Sequence, residues 1–442
     1  MSTGFQDRLN RAIEETRFID THEHLVEEET RTQWRPHPLL PCDDWALLFS
    51  HYLDSDLRVA GMAEDEFRRL VAPDGTPEAK WRILEPYWPA VKHTGYGQAV
   101  RIAIRSLYGV DELSGATVGI LAERYRATVK PGFYETVLRR YAGIEVSQVN
   151  SLEAPFAETR QPDLLQQDLS LVHFSPSVAD DLTKLGDRFG LSVRDLADYH
   201  RVIDAWFAKY GPYAVAVKSQ AAYWRGLDYD EVAAEEAEPI LRKRLNGEPV
   251  TEPERKALDD HVFWYAVGKA AALGLPVKLH TGYYAGHNSM PLGRLAANPS
   301  QACELCRRSP DTRFVFMHMG YPFQDQMIAL AKQWSNAYVD MCWAWVMNPS
   351  ACERFVRDFL LAAPANKLLL FGGDYIPVEP VVGHAALARR GLARALTRLA
   401  ADGWITETEA VEAVEPLMRG NAAKLFRVKE KVEAMRRAPW LT

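Results

Sequence analysis

Pro276-Val277-Lys278-Leu279-His280-Thr281-Gly282 is a short apolar run that closes on a histidine and a glycine, and it follows a helix-length amphipathic segment, Asp259 to Leu273. The same succession recurs along the chain, which is the pattern of βα units around a parallel sheet. Eight runs qualify as strands: Arg17 to Thr21, Ile144 to Val149, Leu169 to Phe174, Tyr213 to Lys218, Pro276 to His280, Arg313 to His318, Ala337 to Met341 and Lys367 to Phe371. Val193 to Tyr210 and Pro349 to Leu361 supply further helices between them. The predicted fold class is α/β, a (β/α)8 TIM barrel, whose active site is built at the C-terminal ends of its strands.

Between the first two strands lie about 120 residues, far more than a barrel crossover needs. This segment, residues 26–143, is rich in Trp, Tyr and Arg and carries helix-period stretches at Asp43 to Leu53 and Tyr96 to Leu107. It is expected to form a helical cap over the mouth of a single barrel spanning residues 1–442. After the last strand, Ala385 to Ala401 and Thr406 to Arg437 read as closing helices.

Composition is that of an ordinary globular chain rather than a disordered or fibrous one, with 47% hydrophobic and 25% charged residues. The net charge of −7 comes without a basic stripe, so no nucleic-acid partner is expected. The apolar runs are too short to cross a bilayer, and Met1 to Arg17 is charged and amphipathic rather than a signal peptide. A cytoplasmic location and a small-molecule substrate follow as expectations; homo-oligomerisation is left open. Five cysteines, Cys42, Cys303, Cys306, Cys342 and Cys352, argue against a disulfide framework. Cys303 and Cys306 have zinc-ribbon spacing, but they lack a second pair and lie in a helical stretch, so buried free thiols are expected.

Polar residues collect at the predicted strand ends. His22 and His24 follow the first strand, and alternate residues of an extended chain share a face, so both imidazoles could close on one cation. Lys218 closes the fourth strand, His280 the fifth and His318 the sixth, and Asp374 follows the eighth after Gly372-Gly373. Singly, each has a structural explanation. Six such groups at the ends of five strands point to a catalytic centre. Lys278 shares the side of its strand with His280, and a buried lysine needs an acidic neighbour or an anionic substrate.

This order of groups resembles the amidohydrolase superfamily: His-x-His after strand one, a His after each of strands five and six, and an Asp after strand eight. Ala216-Val217-Lys218-Ser219, Tyr223-Trp224-Arg225-Gly226-Leu227, His280-Thr281-Gly282, the long insert and Trp343/Trp345 are similar to the branch of uronate isomerases and of amidohydrolase domains fused to glutamine-synthetase-like proteins. Tyr375-Ile376-Pro377 departs from it, because a true uronate isomerase would carry Ser-Arg after the aspartate.

The resemblance implies a divalent cation, zinc first, held by His22, His24, His280 and Asp374 or a subset of these. It would leave a position for a water whose pKa falls toward about 7. Asp374 would be the general base, and His318 would orient the water or polarise a substrate carbonyl. One ion is expected, and two only if Lys218 is carbamylated; otherwise Lys218 binds a substrate carboxylate or pairs with an acid. Lys218, Arg225, Lys278, Tyr223 and Tyr283, with Tyr284, are the candidate substrate-binding residues. His51 and His93 in the insert could reach substrate, whereas His37, His173, His200, His261, His287 and His384 lack strand-end companions. The expected function is metal-dependent hydrolysis of an amide, lactone or related C–N or C–O bond in a small carboxylate-bearing substrate. Uronate aldose–ketose isomerisation and metal-dependent decarboxylation are the alternatives, and a non-catalytic scaffold is the reading from a different class.

Overall fold

The structure is a computed structural model and describes residues 4–33, 37–178 and 181–441. Met1 to Thr3 of the expected N-terminal helix lie outside the described residues; the helix itself covers Phe5–Glu15. The strands are β1 (Phe18–Glu23), β2 (Ile144–Val149), β3 (Leu165–Gln167), β4 (Leu169–Ser170), β5 (Val217–Ser219), β6 (Val277–Leu279), β7 (Phe314–Phe316), β8 (Ala337–Asp340) and β9 (Leu368–Leu369). Every expected run contains a strand. β3 is additional, and the run from Leu169 turns into a 3-10 helix at Leu171–Phe174.

The chain divides into two compact units. One comprises Met1–Ser147, Tyr283–Pro291 and Asp340–Ala422, the other Gln148–Gly282, Leu292–Val339 and Ala423–Thr442. In the second unit, β4 to β8 pair in parallel, with Val217 opposite Val277, Val277 opposite Phe314 and Phe314 opposite Ala337. These side chains are fully buried, as the near-continuous apolar strands of parallel sheets require. The helices Leu196–Tyr210, Glu252–Ala272 and Leu292–Arg308 lie between strands. The Glu252–Ala272 helix starts earlier than its apolar periodicity, because Thr251 and Glu254 close a capping box around it. Cys303 and Cys306 lie in the Leu292–Arg308 helix as free thiols, Cys306 buried.

In the first unit, β1 receives the backbone of the chain on both edges. Phe18 N donates to Gly143 O at 3.0 Å, and Thr21 N donates to Phe371 O at 3.0 Å. The guanidinium of Arg389 fixes the entry to β1, donating to the carbonyls of Ile13 and Thr16 at 2.8 and 3.0 Å while lying over the Phe18 ring. The insert is helical, including Glu64–Leu70, Pro77–Leu84, Gly95–Tyr108 and Val118–Thr128. Thr94 Oγ1 caps the Gly95–Tyr108 helix at its start, and Gly109 ends it in the left-handed conformation that glycine favours. Arg31 ties the insert to the segment after β9: its guanidinium grips Glu379 at 2.6 and 3.0 Å and donates to Tyr125 Oη at 2.8 Å, all of it buried.

Two expected helices are broken. Asp43 to Leu53 is a 3-10 turn, Trp45–Phe49, followed by a helix at Leu53–Val59, with Tyr52 between them at φ 66°. Thr406 to Arg437 divides at Pro416, Gly420 and the left-handed Arg427. No helix among the described residues is long and apolar enough to cross a membrane.

Candidate metal centre and active site

Asp20, His22 and His24 occupy alternate positions of β1 and its exit, and all three are buried. In the first unit the two imidazoles converge with Asp374: His22 Nε2 lies 3.3 Å from His24 Nε2, and Asp374 Oδ1 lies 3.1 and 3.3 Å from them. Ligands at zinc bond lengths of ~2.0–2.1 Å around a tetrahedral centre stand about 3.4 Å apart. The N,N,O triangle therefore has the size and the donor set that a first-row cation requires.

Asp374 reaches this position through the backbone. Its N–H donates to His22 O at 2.8 Å, and His24 N donates to Tyr375 O at 2.9 Å, so the segment after β9 runs along β1. Gly372 and Gly373 permit that approach. A Cβ on the first would strike Thr21 Oγ1 and Cys342, and one on the second would strike the Glu23 carboxyl.

Asp374 itself sits at φ 64°, as Trp343 does at 64° and Tyr52 at 66°. The three touch: Tyr52 stacks on Trp343 at 4.6 Å, and its hydroxyl donates to the Asp374 carbonyl. Left-handed backbone at bulky residues persists only where the surroundings over-determine it, and it clusters at functional sites. The break in the expected helix at Tyr52 thus places a hydroxyl on the segment that carries Asp374.

Two carboxyls support the strand end. Asp20 Oδ1 accepts from Gly373 N at 3.1 Å and His22 N at 3.3 Å, and Glu23 Oε2 accepts from Tyr375 N at 2.6 Å. Asp20 Oδ2 and Glu23 Oε1 are buried and take no hydrogen bond from an N–H or O–H group among the described residues, and the two carboxyls act on each other electrostatically. Burial raises Asp20 to about 6, and burial with the charge of Asp20 raises Glu23 well above the usual carboxylate range.

From the insert, His51 reaches the same region. Burial pulls it down to about 3, so the ring is neutral, and Nδ1 accepts from Ile376 N at 3.4 Å, which puts the proton on Nε2. Tyr96, Trp343 and Tyr283 add aromatic surface, with Tyr283 5.9 Å from Trp343.

The second unit holds the other expected residues. His318 Nε2 lies 2.9 Å from His280 Nδ1, with His318 at φ 61°, and the Tyr223 ring is 4.5 Å from that of His280. Lys218 is buried in β5, in register between Ser170 and Lys278.

Two expected substrate-binding cations have acidic partners within the unit. Lys278 Nζ donates to both oxygens of Asp168 at 2.8 and 2.9 Å and to Gln148 Oε1 at 2.8 Å, wholly buried. Arg225 pairs with Asp260 and lies over the Tyr229 ring at 4.2 Å. Both pairings have one cause: a charge taken out of water needs a fixed counter-charge.

The sequence reading assigned no role to Asp20, Glu23, Tyr52 or Tyr375. Asp20 was legible, since alternation puts it on the face of His22 and His24. Nothing in the local pattern marks Tyr52.

The sequence model of the family described as Amidohydrolase matches residues 197–428. The protein fluG of Emericella nidulans is 28% identical over 232 residues, half of this chain, and the chain spans only 26% of that relative's length. A uronate isomerase of Corynebacterium efficiens is 23% identical over 459 residues, covering 95% of both chains. Among solved structures, a uronate isomerase from Thermotoga maritima matches 96% of this chain and 98% of its own with a TM-score of 0.76 at 14% identity. At that identity the likeness establishes the fold, which is the α/β TIM-barrel class expected from the strand–helix alternation.

Proposed function

The chain belongs to the amidohydrolase family, and from that premise we propose that it is a metal-dependent hydrolase acting on an amide, lactone or related bond of a small carboxylate-bearing substrate. The observation that carries the proposal is the His22–His24–Asp374 triangle. One divalent cation bound there, zinc first, would supply Lewis-acid polarisation and acidify water. The residues do the rest. Asp374, held by its backbone between His22 and Tyr52, takes the proton of the attacking water and returns it to the leaving group. His280 and His318 carry the roles the resemblance implies, as ligand and as the group that orients water or polarises the carbonyl. Lys218, Tyr223 and Tyr283 are the proposed substrate contacts, without Arg225 and Lys278.

A second reading, uronate isomerisation, is supported by the end-to-end likeness to a uronate isomerase. It needs a base and cation-bound hydroxyls but no attacking water. The test incubates the metal-loaded protein with carboxylate-bearing amides and lactones, and separately with glucuronate and galacturonate. Hydrolysis within the first panel and no ketose from the second is the expected result. Ketose formation without hydrolysis replaces the proposal by the isomerase, and carbon dioxide release replaces it by decarboxylation.

A further inference from the structure

Two histidines outside the strand ends face each other across a helix pair in the second unit. His200 on the Leu196–Tyr210 helix and His261 on the Glu252–Ala272 helix bring their Nε2 atoms to 2.9 Å, both rings half-buried. We propose that they form a second cation site, an inter-helix clamp for a first-row divalent metal ion such as zinc.

The tautomers carry the argument. His261 Nδ1 lies 2.8 Å from the carbonyl oxygen of Val232, which can only accept, so Nδ1 carries the hydrogen and Nε2 presents its lone pair. A carbonyl on the far nitrogen is how metal-ligating histidines are commonly oriented. That lone pair points at His200 Nε2, and one proton bridges the two rings.

His200 is fixed as well. Its ring stacks on Tyr265 at 3.8 Å and 4°, and Tyr265 Oη donates to Asp204 at 2.9 Å. A cation replaces the bridging proton: His200 gives it up from Nε2 and takes one from solvent on Nδ1, so both rings stay neutral and each Nε2 gives its lone pair to the metal. Two ligands at ~2.0–2.1 Å from a tetrahedral ion stand about 3.4 Å apart, so the rings need to separate by roughly half an ångström. Water completes the coordination through the exposed half of the pair.

The test is equilibrium dialysis of the metal-stripped full-length protein against zinc, with bound zinc measured per chain. The wild type is expected to take up one ion more than His200→Gln or His261→Gln. His22→Ala, altered only at the strand-end centre, keeps that ion. Turnover of His200→Gln is expected to match the wild type. Equal zinc uptake by the wild type and both glutamine variants overturns the proposal. Should the glutamine variants fail to fold, zinc-dependent melting of His22→Ala decides: a rise in melting temperature supports the clamp and no change overturns it. Because His22→Ala removes the other centre, failure here is distinct from failure of the proposed function.

Discussion

Asp374→Asn is expected to lower turnover by about 10²–10⁴-fold, the range for loss of a general acid–base group, while leaving the fold intact. The substitution is chosen for the backbone: at φ 64° asparagine is among the few residues as comfortable as aspartate. The segment's hydrogen bonds to His22 and Tyr52 use main-chain atoms and survive the change. What disappears is the carboxylate 3.1 and 3.3 Å from the two imidazoles, and with it the proposed proton acceptor. Steady-state kinetics on a substrate from the amide and lactone panel, with a circular-dichroism melt as control, check it. Activity within a few-fold of wild type removes Asp374 from the chemistry.

Asp168→Ala is expected to destabilise the protein by about 3–5 kcal/mol, because it strands the Lys278 ammonium in a site from which water is excluded. Both side chains are fully buried, and the Gln148 carbonyl and the Phe426 ring do not replace the counter-charge. The double replacement Asp168→Leu with Lys278→Met is expected to recover part of that loss, since it removes both charges and Gln148 Oε1 loses only a hydrogen bond. Denaturant unfolding of the wild type and the two variants measures this. A loss below ~1 kcal/mol in Asp168→Ala contradicts the pairing. Retained turnover in the double variant separates a structural Lys278 from one that binds substrate.

The strand runs were legible because parallel strands buried on both faces read as short apolar stretches bounded by polar ends. The same holds for His22 and His24, whose alternation predicts the convergence seen in their 3.3 Å approach. Gly372-Gly373 reads as a turn, yet its need is steric: β1 leaves no room for a side chain on either residue. Long-range partners were beyond reach. Asp168 lies 110 positions from Lys278, and no spacing rule could choose between it and a substrate anion. Tyr52 lies 322 positions from Asp374, and its run carries helical periodicity that the contact with Asp374 overrides. His200 and His261, 61 positions apart on two helices, have no shared motif at all.

The central claim is that His22, His24 and Asp374 hold the metal on which activity depends. The most direct measurement is metal content after gel filtration into metal-free buffer, conditions under which a two-imidazole clamp open to water is emptied. The account predicts about one tightly held divalent ion per chain in the active wild type and near-zero content, with no activity, in His22→Ala. Wild-type protein that turns over substrate with no stoichiometric metal, or a His22→Ala variant that keeps both ion and activity, would contradict it.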